Sequence, residues 1–371
     1  MKKKLVRVAA IPMSLDLLLR GQLRFLSEHF DVLAVASPGS EHARIREREG
    51  VATVELPIER TISPWKDLKS LLALYRLFRK ERPWAVHSLT PKAGLLSMTA
   101  AAFARVPVRV HTFTGLIFPW RTGAFRLLLK QMDKLTCLFA THIIPEGEGV
   151  RKMLLEENVT RKPLRVLANG NINGVDLAYF SPSGDRETIR QRLGVSAETV
   201  FFVFVGRVTG DKGVRELLDA YASLRAEAGK PPVALALVGG AEDGVLEGRE
   251  APGVLSPGFQ EDIRPWLDAA DVFVLPSYRE GFPNSLLQAG SMGLPSIATD
   301  ICGCNEIVED GRNGFLVPAR NAKELRRAMA VLRDNPERRR DMGEQAKRHV
   351  EEKFDRSRVW NALLQFYGET A

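Results

Sequence analysis

An arginine and a lysine follow a strongly apolar segment in the second half of the chain. The residues at 201–205 are all apolar, and Gly206, Arg207 and Lys212 lie in the glycine-rich turn directly after them. Two cations at the carboxyl end of a strand, beside the start of a helix, suit a diphosphate. The turn has neither a Gly-x-Gly-x-x-Gly pattern nor a Gly-Lys-Ser/Thr phosphate loop. It therefore predicts a site for a diphosphate-containing small molecule.

A second polar pair follows another apolar segment, at 272–275. Glu280 lies in the loop after this segment, and a helix is predicted to begin near Asn284, which is a good N-cap residue. Gln288 comes eight residues after Glu280, on the same predicted helix. The two side chains can contact different ends of one ligand. The alternative is that Glu280 caps the helix dipole and Gln288 lies on the exposed face.

Two further turns place glycines and backbone donors near the same predicted edge. Gly258 and Phe259 belong to a turn that leads into a predicted helix at 263–269. The other turn, within 297–314, contains a Cys-Gly-Cys sequence. Its spacing does not suit zinc and no second cysteine pair exists, so we interpret it as a turn of small residues.

The elements that must position these residues alternate between short apolar segments and longer amphipathic ones, the pattern of parallel α/β units. Strands are predicted in the first half at 4–11, 31–36, 51–57, 84–89, 108–113, 141–145 and 164–168, and helices at 17–29, 65–81, 93–105 and 125–139. Strands are predicted in the second half at 200–206, 233–239, 271–276, 295–299 and 314–317.

A chain of 371 residues is too long for one ordinary core and suits two domains. The segment 169–176 is dense in turn-forming residues and is predicted to be a linker. We therefore predict an N-terminal domain over 1–170, a C-terminal domain over 171–354 and a final helical segment, 355–371, that packs back on the N-terminal domain. Two doubly wound α/β domains in tandem imply a ligand-binding cleft between them.

The net charge of +8 is unevenly distributed. Residues 1–170 hold 28 Lys and Arg against 15 Asp and Glu, or +13, whereas residues 171–371 hold 25 against 30, or −5. The asymmetry favours an anionic partner for the first half, and the alternative is an Arg-rich, solvated surface. Nucleic acid is not the expected partner, because no nucleic-acid motif is present and the cations are not interleaved with aromatic residues.

Three cysteines cannot all pair, so a disulfide framework is excluded and a reducing, cytoplasmic compartment is expected. The basic and apolar N-terminus imitates a secretory signal, but Arg7 and Asp16 interrupt it, and we interpret the segment as a first strand. No apolar run approaches 18 residues, so no membrane span is predicted.

The block from Val205 to Pro318 strongly resembles the donor domain of the family four retaining glycosyltransferases of GT-B fold. The matching pieces are Gly206-Arg207 with Lys212, and the stretches at 270–277, 280–284, 293–295 and 310–317. The resemblance implies that Arg207 and Lys212 bind the donor diphosphate, and that Glu280 contacts the donor sugar. The implied donor-binding residues are Gly206, Arg207, Lys212, Gly258, Phe259, Glu280, Gly281, Phe282, Pro283, Asn284, Ser285 and Gln288, with Gly258 and Phe259 beside the nucleobase.

Gln288 is a departure from the family pattern, in which a second glutamate holds the ribose hydroxyls. An amide still accepts a hydrogen bond through its oxygen. A neutral acceptor binds more weakly than a charged one, so a weaker grip on the ribose is expected.

The first half is similar to enzymes of the same family that assemble capsule, O-antigen and other glycans on polyprenyl-diphosphate lipids. The matching stretches are 14–23, 68–82, 86–96 and 110–118. The resemblance implies that Ser14, Gly21, His87, Thr90 and Lys92 lie on the acceptor side. His111 and Thr114 join Glu280, Arg207 and Lys212 in the implied catalytic set, although relatives often have a histidine where Thr114 stands.

No Asp-x-Asp motif occurs, so we predict no metal. The positive charge that stabilises the leaving diphosphate is then expected from Arg207, Lys212 and helix N-termini. No general base is evident, which fits the front-face retaining mechanism that the resemblance implies, with the departing phosphate taking the acceptor proton.

The function implied is transfer of a hexose or N-acetylhexosamine from a nucleotide-diphosphate sugar, with uridine as the expected base and no other cofactor. The implied acceptor is a lipid-linked saccharide. The alternatives are a soluble acceptor, or a catalytically weak subunit that binds a nucleotide sugar. A sugar epimerase would need clustered acidic and histidine residues that the sequence lacks.

The segment 113–130 mixes aromatic, aliphatic and basic residues, and predicts peripheral docking on an anionic membrane, at the inner face of the cell membrane. Arg121, Arg126 and Lys130 are the cations expected to meet lipid. The alternative is that Phe125, Leu128, Leu129 and Met132 form an ordinary core stripe.

Overall fold

The computed structural model describes residues 2–59, 61–248 and 251–370. The chain forms two compact units, one comprising Met1–Asn173 with Ser357–Ala371 and the other comprising Gly174–Arg356. Each unit is an α/β structure built on its own parallel sheet. We call them unit 1 and unit 2.

Unit 1 contains a six-stranded sheet, counted over the described residues, with strand order β3-β2-β1-β4-β5-β6. Its strands are β1 (Lys4–Val8), β2 (Asp31–Ala36), β3 (Ala52–Glu55), β4 (Ala85–Leu89), β5 (Val108–Phe113) and β6 (His142–Pro145). Its first helices are α1 (Pro12–Leu18), α2 (Gln22–Ser27), α3 (Glu41–Glu49), α4 (Pro64–Glu81), α5 (Pro91–Phe103), α6 (Gly123–Phe139) and α7 (Glu148–Glu156).

Unit 2 repeats the same topology, with strand order β12-β11-β10-β7-β8-β9. Its strands are β7 (Val200–Val205), β8 (Val233–Val238), β9 (Val254–Gly258), β10 (Val272–Leu275), β11 (Ser296–Thr299) and β12 (Gly314–Val317). Its helices are α8 (Arg186–Arg192), α9 (Val214–Arg225), α10 (Arg264–Ala269), α11 (Asn284–Ser291), α12 (Ala322–Asp334) and α13 (Pro336–Lys353), and the last helix of the chain is α14 (Arg356–Glu369). The two sheets confirm the predicted α/β, GT-B type of fold.

The central strands are apolar along their whole length because helices cover both faces of a doubly wound sheet. Residues 201–204 of β7 and 272–274 of β10 are fully buried. These two strands are hydrogen-bonded neighbours, with Val272 opposite Phe202 and Phe273 opposite Val203. The loops that follow them therefore emerge side by side at the carboxyl edge of the sheet.

Helix α14 belongs mostly to unit 1 and is fixed there by a buried tyrosine. Leu363 and Phe366 lie in the core of unit 1, and Tyr367 is fully buried. The Tyr367 hydroxyl lies 2.5 Å from His87 Nδ1 and accepts a hydrogen bond of 3.3 Å from Arg7 Nη1. Arg7 and His87 are register partners on the neighbouring strands β1 and β4, so Tyr367 of the last helix contacts two central strands of the sheet.

Three predicted elements differ from the structure. The predicted helix at 17–29 is two helices, α1 and α2, because Gly21 adopts a left-handed conformation with φ of 81° between them. The predicted strand at 164–168 is wrong: only an isolated bridge joins Leu164 to Ile143, and Ala168 has a positive φ. Gly258, which was predicted to lie in a turn, instead ends β9 (Val254–Gly258), an edge strand that tolerates Pro257.

Candidate active site

The strand order reverses between β7 and β10 in unit 2, and open parallel sheets bind ligands outside the carboxyl ends of the strands at such a point. Arg207 and Lys212 lie in the loop after β7, and Glu280 lies in the loop after β10. The structure thus brings together the three charged residues that the sequence singled out in this half. Between β1 and β4 unit 1 has the equivalent reversal.

Lys212 and Glu280 form a close ion pair, with 2.6 Å between Lys212 Nζ and Glu280 Oε1. Their side chains are 18% and 12% exposed, so the pair is shielded from water while one side stays accessible. The Ser277 hydroxyl donates to the same Oε1 at 2.7 Å. Glu280 is therefore held in one orientation by an ammonium group and a hydroxyl.

The main chain joins the two loops. The amide of Tyr278 donates to the carbonyl oxygen of Asp211 at 2.9 Å. Gly213 has a φ of +71°, and a Cβ there would overlap the carbonyl group of Pro276. Only glycine permits both the left-handed conformation and this close approach. The joint fixes the distance between the loop that carries Lys212 and the loop that carries Glu280.

Asp211 links the remaining cations of the two loops. Its carboxylate accepts a hydrogen bond of 2.6 Å from the Thr209 hydroxyl and pairs with Arg279 at 3.0 Å, and Arg207 approaches it at 4.0 Å. Burial raises the pKa of Asp211, but the hydroxyl and the neighbouring cations outweigh burial and hold its pKa below the usual value. Arg207 also pairs with Glu242 at 3.0 Å, and its side chain is 52% exposed.

Helix α11 begins at Asn284, with Pro283 at the N-cap position and no side-chain cap. The prediction that Asn284 is the N-cap is therefore wrong, because the helix starts one residue earlier than expected. Phe282 is buried in the core of unit 2, and Pro283 is buried as well. Gly281 is held from the other side, since a Cβ at Gly303 would overlap its carbonyl group.

The other predicted donor-binding residues lie around this loop or at the end of β9. Ser285 and Gln288 are partly exposed on α11. Gly258 ends β9 with a φ of +75°, and the Phe259 ring that follows is 60% exposed. An exposed aromatic ring at a strand end suits stacking on a planar base.

Unit 1 buries both candidate histidines, His87 and His111. His87 lies between the Tyr367 and Thr112 hydroxyls, and burial, with the nearby Arg7 charge, lowers its pKa well below the usual value. His111 Nδ1 lies 2.8 Å from the Ser88 hydroxyl oxygen, and its ring fills the space that a Cβ at Gly94 would occupy.

The remaining acceptor-side candidates lie mostly in loops and at helix starts of unit 1. Thr114 is partly exposed directly after β5, and Ser14 is partly exposed on α1. Gly21 donates its amide to Glu49, and Thr90, which has a φ of 67°, accepts a hydrogen bond from the amide of Ala10. Lys92 is buried and pairs with Asp67 at 2.6 Å, so the structure turns it into the unit.

Comparisons with known proteins match both units. Residues 199–335 match the family described as glycosyl transferases group 1, and residues 19–170 match the glycosyl transferase 4-like domain. The UDP-Gal:α-D-GlcNAc-diphosphoundecaprenol α-1,3-galactosyltransferase of Escherichia coli is 30% identical over 289 residues, covering 74% of this chain and 73% of that protein. The chain belongs to the group 1 glycosyltransferases.

Other known proteins are similar to this glycosyltransferase over nearly its whole length. The capsular polysaccharide biosynthesis glycosyltransferase CapM of Staphylococcus aureus is 28% identical, covering 98% of this chain and 97% of CapM. Among solved structures, Anabaena Alr3699/HepE in complex with UDP and glucose superposes with a TM-score of 0.85 at 20% identity, over 99% of this chain and all of that chain. Sucrose-phosphate synthase of Thermosynechococcus elongatus gives 0.80 at 19% identity, over 99% of both chains. These structures share the fold.

Three polar residues of the glycosyltransferase site, Asp211, Ser277 and Arg279, were not singled out from the sequence. Asp211 and Arg279 directly precede Lys212 and Glu280 in the sequence, but their ion pair forms only when the fold joins the two loops. Ser277 lies three residues before Glu280 and contacts it within one loop. Within the described residues, no helix is long and apolar enough to cross a membrane, and no three His, Cys, Asp or Glu side chains are grouped to hold a metal ion.

We expect His111 to stay neutral over the whole physiological pH range. Burial lowers its pKa to about 3, so the folded chain does not protonate it where the unfolded chain does, below the ordinary value of 6.5. His111 therefore reduces the free energy of unfolding as the pH falls from 6.5 towards about 3. NMR of the ring, assigned through its edge contact with Phe113, should show no titration between about pH 5 and 8. A midpoint near 6.5 would contradict the burial that the structure shows.

Proposed function

We propose that the chain is a retaining glycosyltransferase that moves a hexose or N-acetylhexosamine from a uridine-diphosphate sugar to a saccharide carried on a polyprenyl diphosphate, in surface polysaccharide assembly. The observation that carries the proposal is the Lys212–Glu280 pair, with Arg207 beside it, at the strand-order reversal of unit 2. The names of the relatives, which include a transferase to a diphosphoundecaprenol acceptor, support the choice of acceptor.

The charges at the site support a diphosphate donor. Lys212 pairs with Glu280, and Arg207 pairs with Glu242. A diphosphate offers both cations stronger, multidentate acceptors, which frees Glu280 to accept hydrogen bonds from the sugar hydroxyls. Phe259 is proposed to stack on the base, and Gln288 to accept from the ribose hydroxyls through its amide oxygen.

The proposed chemistry needs no protein base. The acceptor hydroxyl oxygen forms a bond to the anomeric carbon on the face from which the phosphate departs, and the bond from that carbon to the phosphate oxygen breaks. The acceptor proton passes to the departing phosphate. Arg207 and Lys212 stabilise the charge that grows on the leaving diphosphate, and the joined loops fix the backbone from which Lys212 extends.

Replacing Arg207 or Lys212 with alanine should weaken binding of the nucleotide sugar about tenfold or more, because each loss removes about 1.5–3 kcal/mol of charge-assisted interaction. Isothermal titration with UDP-sugars measures the change. Lys323→Ala, an exposed lysine on α12, is the matched control and should bind like the parent. Unchanged affinity in both site variants would show that the diphosphate binds elsewhere.

Transfer should survive an excess of EDTA, because Arg207 and Lys212 supply the charge that a metal would otherwise supply. The product should keep the anomeric configuration of the donor, because the acceptor attacks on the face from which the phosphate departs. Turnover with and without chelator tests the first point, and the NMR coupling constant of the anomeric proton of the transferred sugar tests the second. Complete loss of turnover in EDTA, restored by a divalent metal, would overturn the metal-free mechanism. Tight donor binding with neither transfer nor hydrolysis would instead indicate a nucleotide-sugar-binding subunit.

The acceptor is proposed to bind to unit 1, with Ser14, Gly21, Thr90 and Thr114 at the carboxyl edge of its sheet, and the enzyme to act at the cytoplasmic face of the cell membrane. Helix α6 supports a membrane partner, because its apolar face is turned outwards. Exposed side chains on α6 include Phe125 at 48%, Leu127 at 59%, Leu128 at 46% and Leu138 at 63%. The alternative that Phe125 and Leu128 belong to the core is therefore wrong.

The cations for this membrane contact are better supplied by α4 than by α6. On α6, Arg126 and Lys130 both pair with Glu157, at 2.7 and 2.9 Å. On α4, Trp65 is 79% exposed, and four exposed cations of that helix make no ion pair within the described part of the chain. These cations are Lys69, Arg76, Arg79 and Lys80. Exposed apolar side chains beside unpaired cations suit an anionic lipid surface.

The chain should pellet with anionic vesicles at low salt and largely release at high salt, since each cation near the surface contributes about 1 kcal/mol that salt screens. The double variant Trp65→Ser/Leu128→Ser should pellet less, because both apolar side chains are exposed on the proposed face. Leu155→Ser, an equally exposed leucine on α7, is the control. If the parent stays in the supernatant at low salt, a soluble acceptor is favoured.

A further inference from the structure

Arg279 is a third cation at the edge where Arg207 and Lys212 lie. It immediately precedes Glu280 in the loop after β10. Its Nη2 lies 3.0 Å from Asp211 Oδ2, and an Nη2 of Arg207 lies 4.0 Å from the same oxygen. Two guanidinium groups from two different loops therefore reach one carboxylate oxygen, beside the ammonium group of Lys212.

The Arg279–Asp211 pair is not needed to hold the loops together. The main chain already joins them, through the hydrogen bond from the Tyr278 amide to the Asp211 carbonyl oxygen and through the close packing of Gly213 on Pro276. An ion pair whose partners are 36% and 33% exposed adds little to stability. Its position at the ligand-binding edge of the sheet then calls for a different explanation.

Electrostatics supplies that explanation. Cations that converge on one point repel each other unless an anion lies between them, and Asp211 is that anion in the structure. A phosphate group carries the same sign of charge and offers more acceptor oxygens to a planar guanidinium fork. A bound diphosphate can thus take over the place of the Asp211 carboxylate.

We propose that Arg279 binds the diphosphate of the nucleotide sugar as the third cation of the site, exchanging the Asp211 carboxylate for a phosphate. The inference rests on the proposed function and adds a residue to it. A diphosphate also belongs to the proposed acceptor, and the donor is favoured because Arg279 shares its carboxylate partner with Arg207 and lies next to Glu280.

Titration of UDP and of uridine into Arg279→Gln, Arg279→Lys, Asp211→Asn and the parent tests the proposal. Arg279→Gln should raise the dissociation constant for UDP about tenfold and leave that for uridine unchanged, since only the phosphate contact is lost. Arg279→Lys keeps the positive charge but not the planar guanidinium group, so its dissociation constant for UDP should lie between those of the parent and of Arg279→Gln. Asp211→Asn should bind UDP at least as tightly as the parent, because the competing charge is gone while an acceptor remains for Thr209. Melting temperatures without ligand confirm that each variant is folded.

Equal weakening of UDP binding by Arg279→Gln and Asp211→Asn would show that Arg279 acts only by bracing the loops, and would overturn the proposal. UDP affinity unchanged in Arg279→Gln would overturn it too. If the KM for a lipid-linked acceptor rises while UDP affinity stays constant, Arg279 belongs to the acceptor diphosphate instead of the donor. Failure of the parent to bind UDP refutes the proposed function itself, and is distinguishable from all of these results.

Discussion

One main-chain joint sets the positions of Lys212 and Glu280, the central ion pair of the proposed donor site. The Tyr278 amide binds the Asp211 carbonyl oxygen, and Gly213 packs so closely on Pro276 that no side chain fits between them. The joint holds two loops that leave neighbouring strands, β7 and β10. Because backbone is fixed against backbone, Lys212 and Glu280 extend from set positions, and their side chains meet with 2.6 Å between Nζ and Oε1. A site built in this way is preorganised before the ligand arrives, which is the condition for effective electrostatic stabilisation.

The cations of this site repel one another, and neighbouring carboxylates offset that repulsion. Lys212, Arg207 and Arg279 each pair with a carboxylate, those of Glu280, Glu242 and Asp211 respectively. The cost of losing the partner is largest for Lys212, whose side chain is only 18% exposed and would be left as a mostly buried, unpaired charge. Binding of the proposed diphosphate donor is then an exchange of anions. A neutral sugar or nucleoside cannot take part in that exchange, so the same carboxylates should favour diphosphates over uncharged ligands.

The sequence predicted that Arg207, Lys212 and Glu280 come together at one edge of a sheet, because the signals for these residues are local. Strand-end cations, a glycine-rich turn and an apolar strand are read within about ten residues of each other, and the fold then places them at one edge. The signals failed where a distant contact decides the outcome. His111 follows the pattern of a strand-end catalytic residue, but Gly94, on another element, leaves room for its ring inside unit 1. The sequence does not show that the His111 ring packs against Gly94, because the two residues lie on different elements and meet only in the folded chain. Edge strand β9 was not predicted, because it has too few apolar residues to show an alternating pattern.

Helix α6 shows the same limit for a surface. Periodicity tells which residues share a face of a helix, but the direction of that face depends on what the remaining side chains bind. On α6, Arg126 and Lys130 turn inwards to Glu157 of the segment after α7, while Thr136 and Cys137 are buried. The leucines are consequently left outside. The charge that would draw unit 1 to an anionic surface therefore resides on α4 and the apolar area resides largely on α6, so that salt and apolar substitutions should act on membrane binding through different helices.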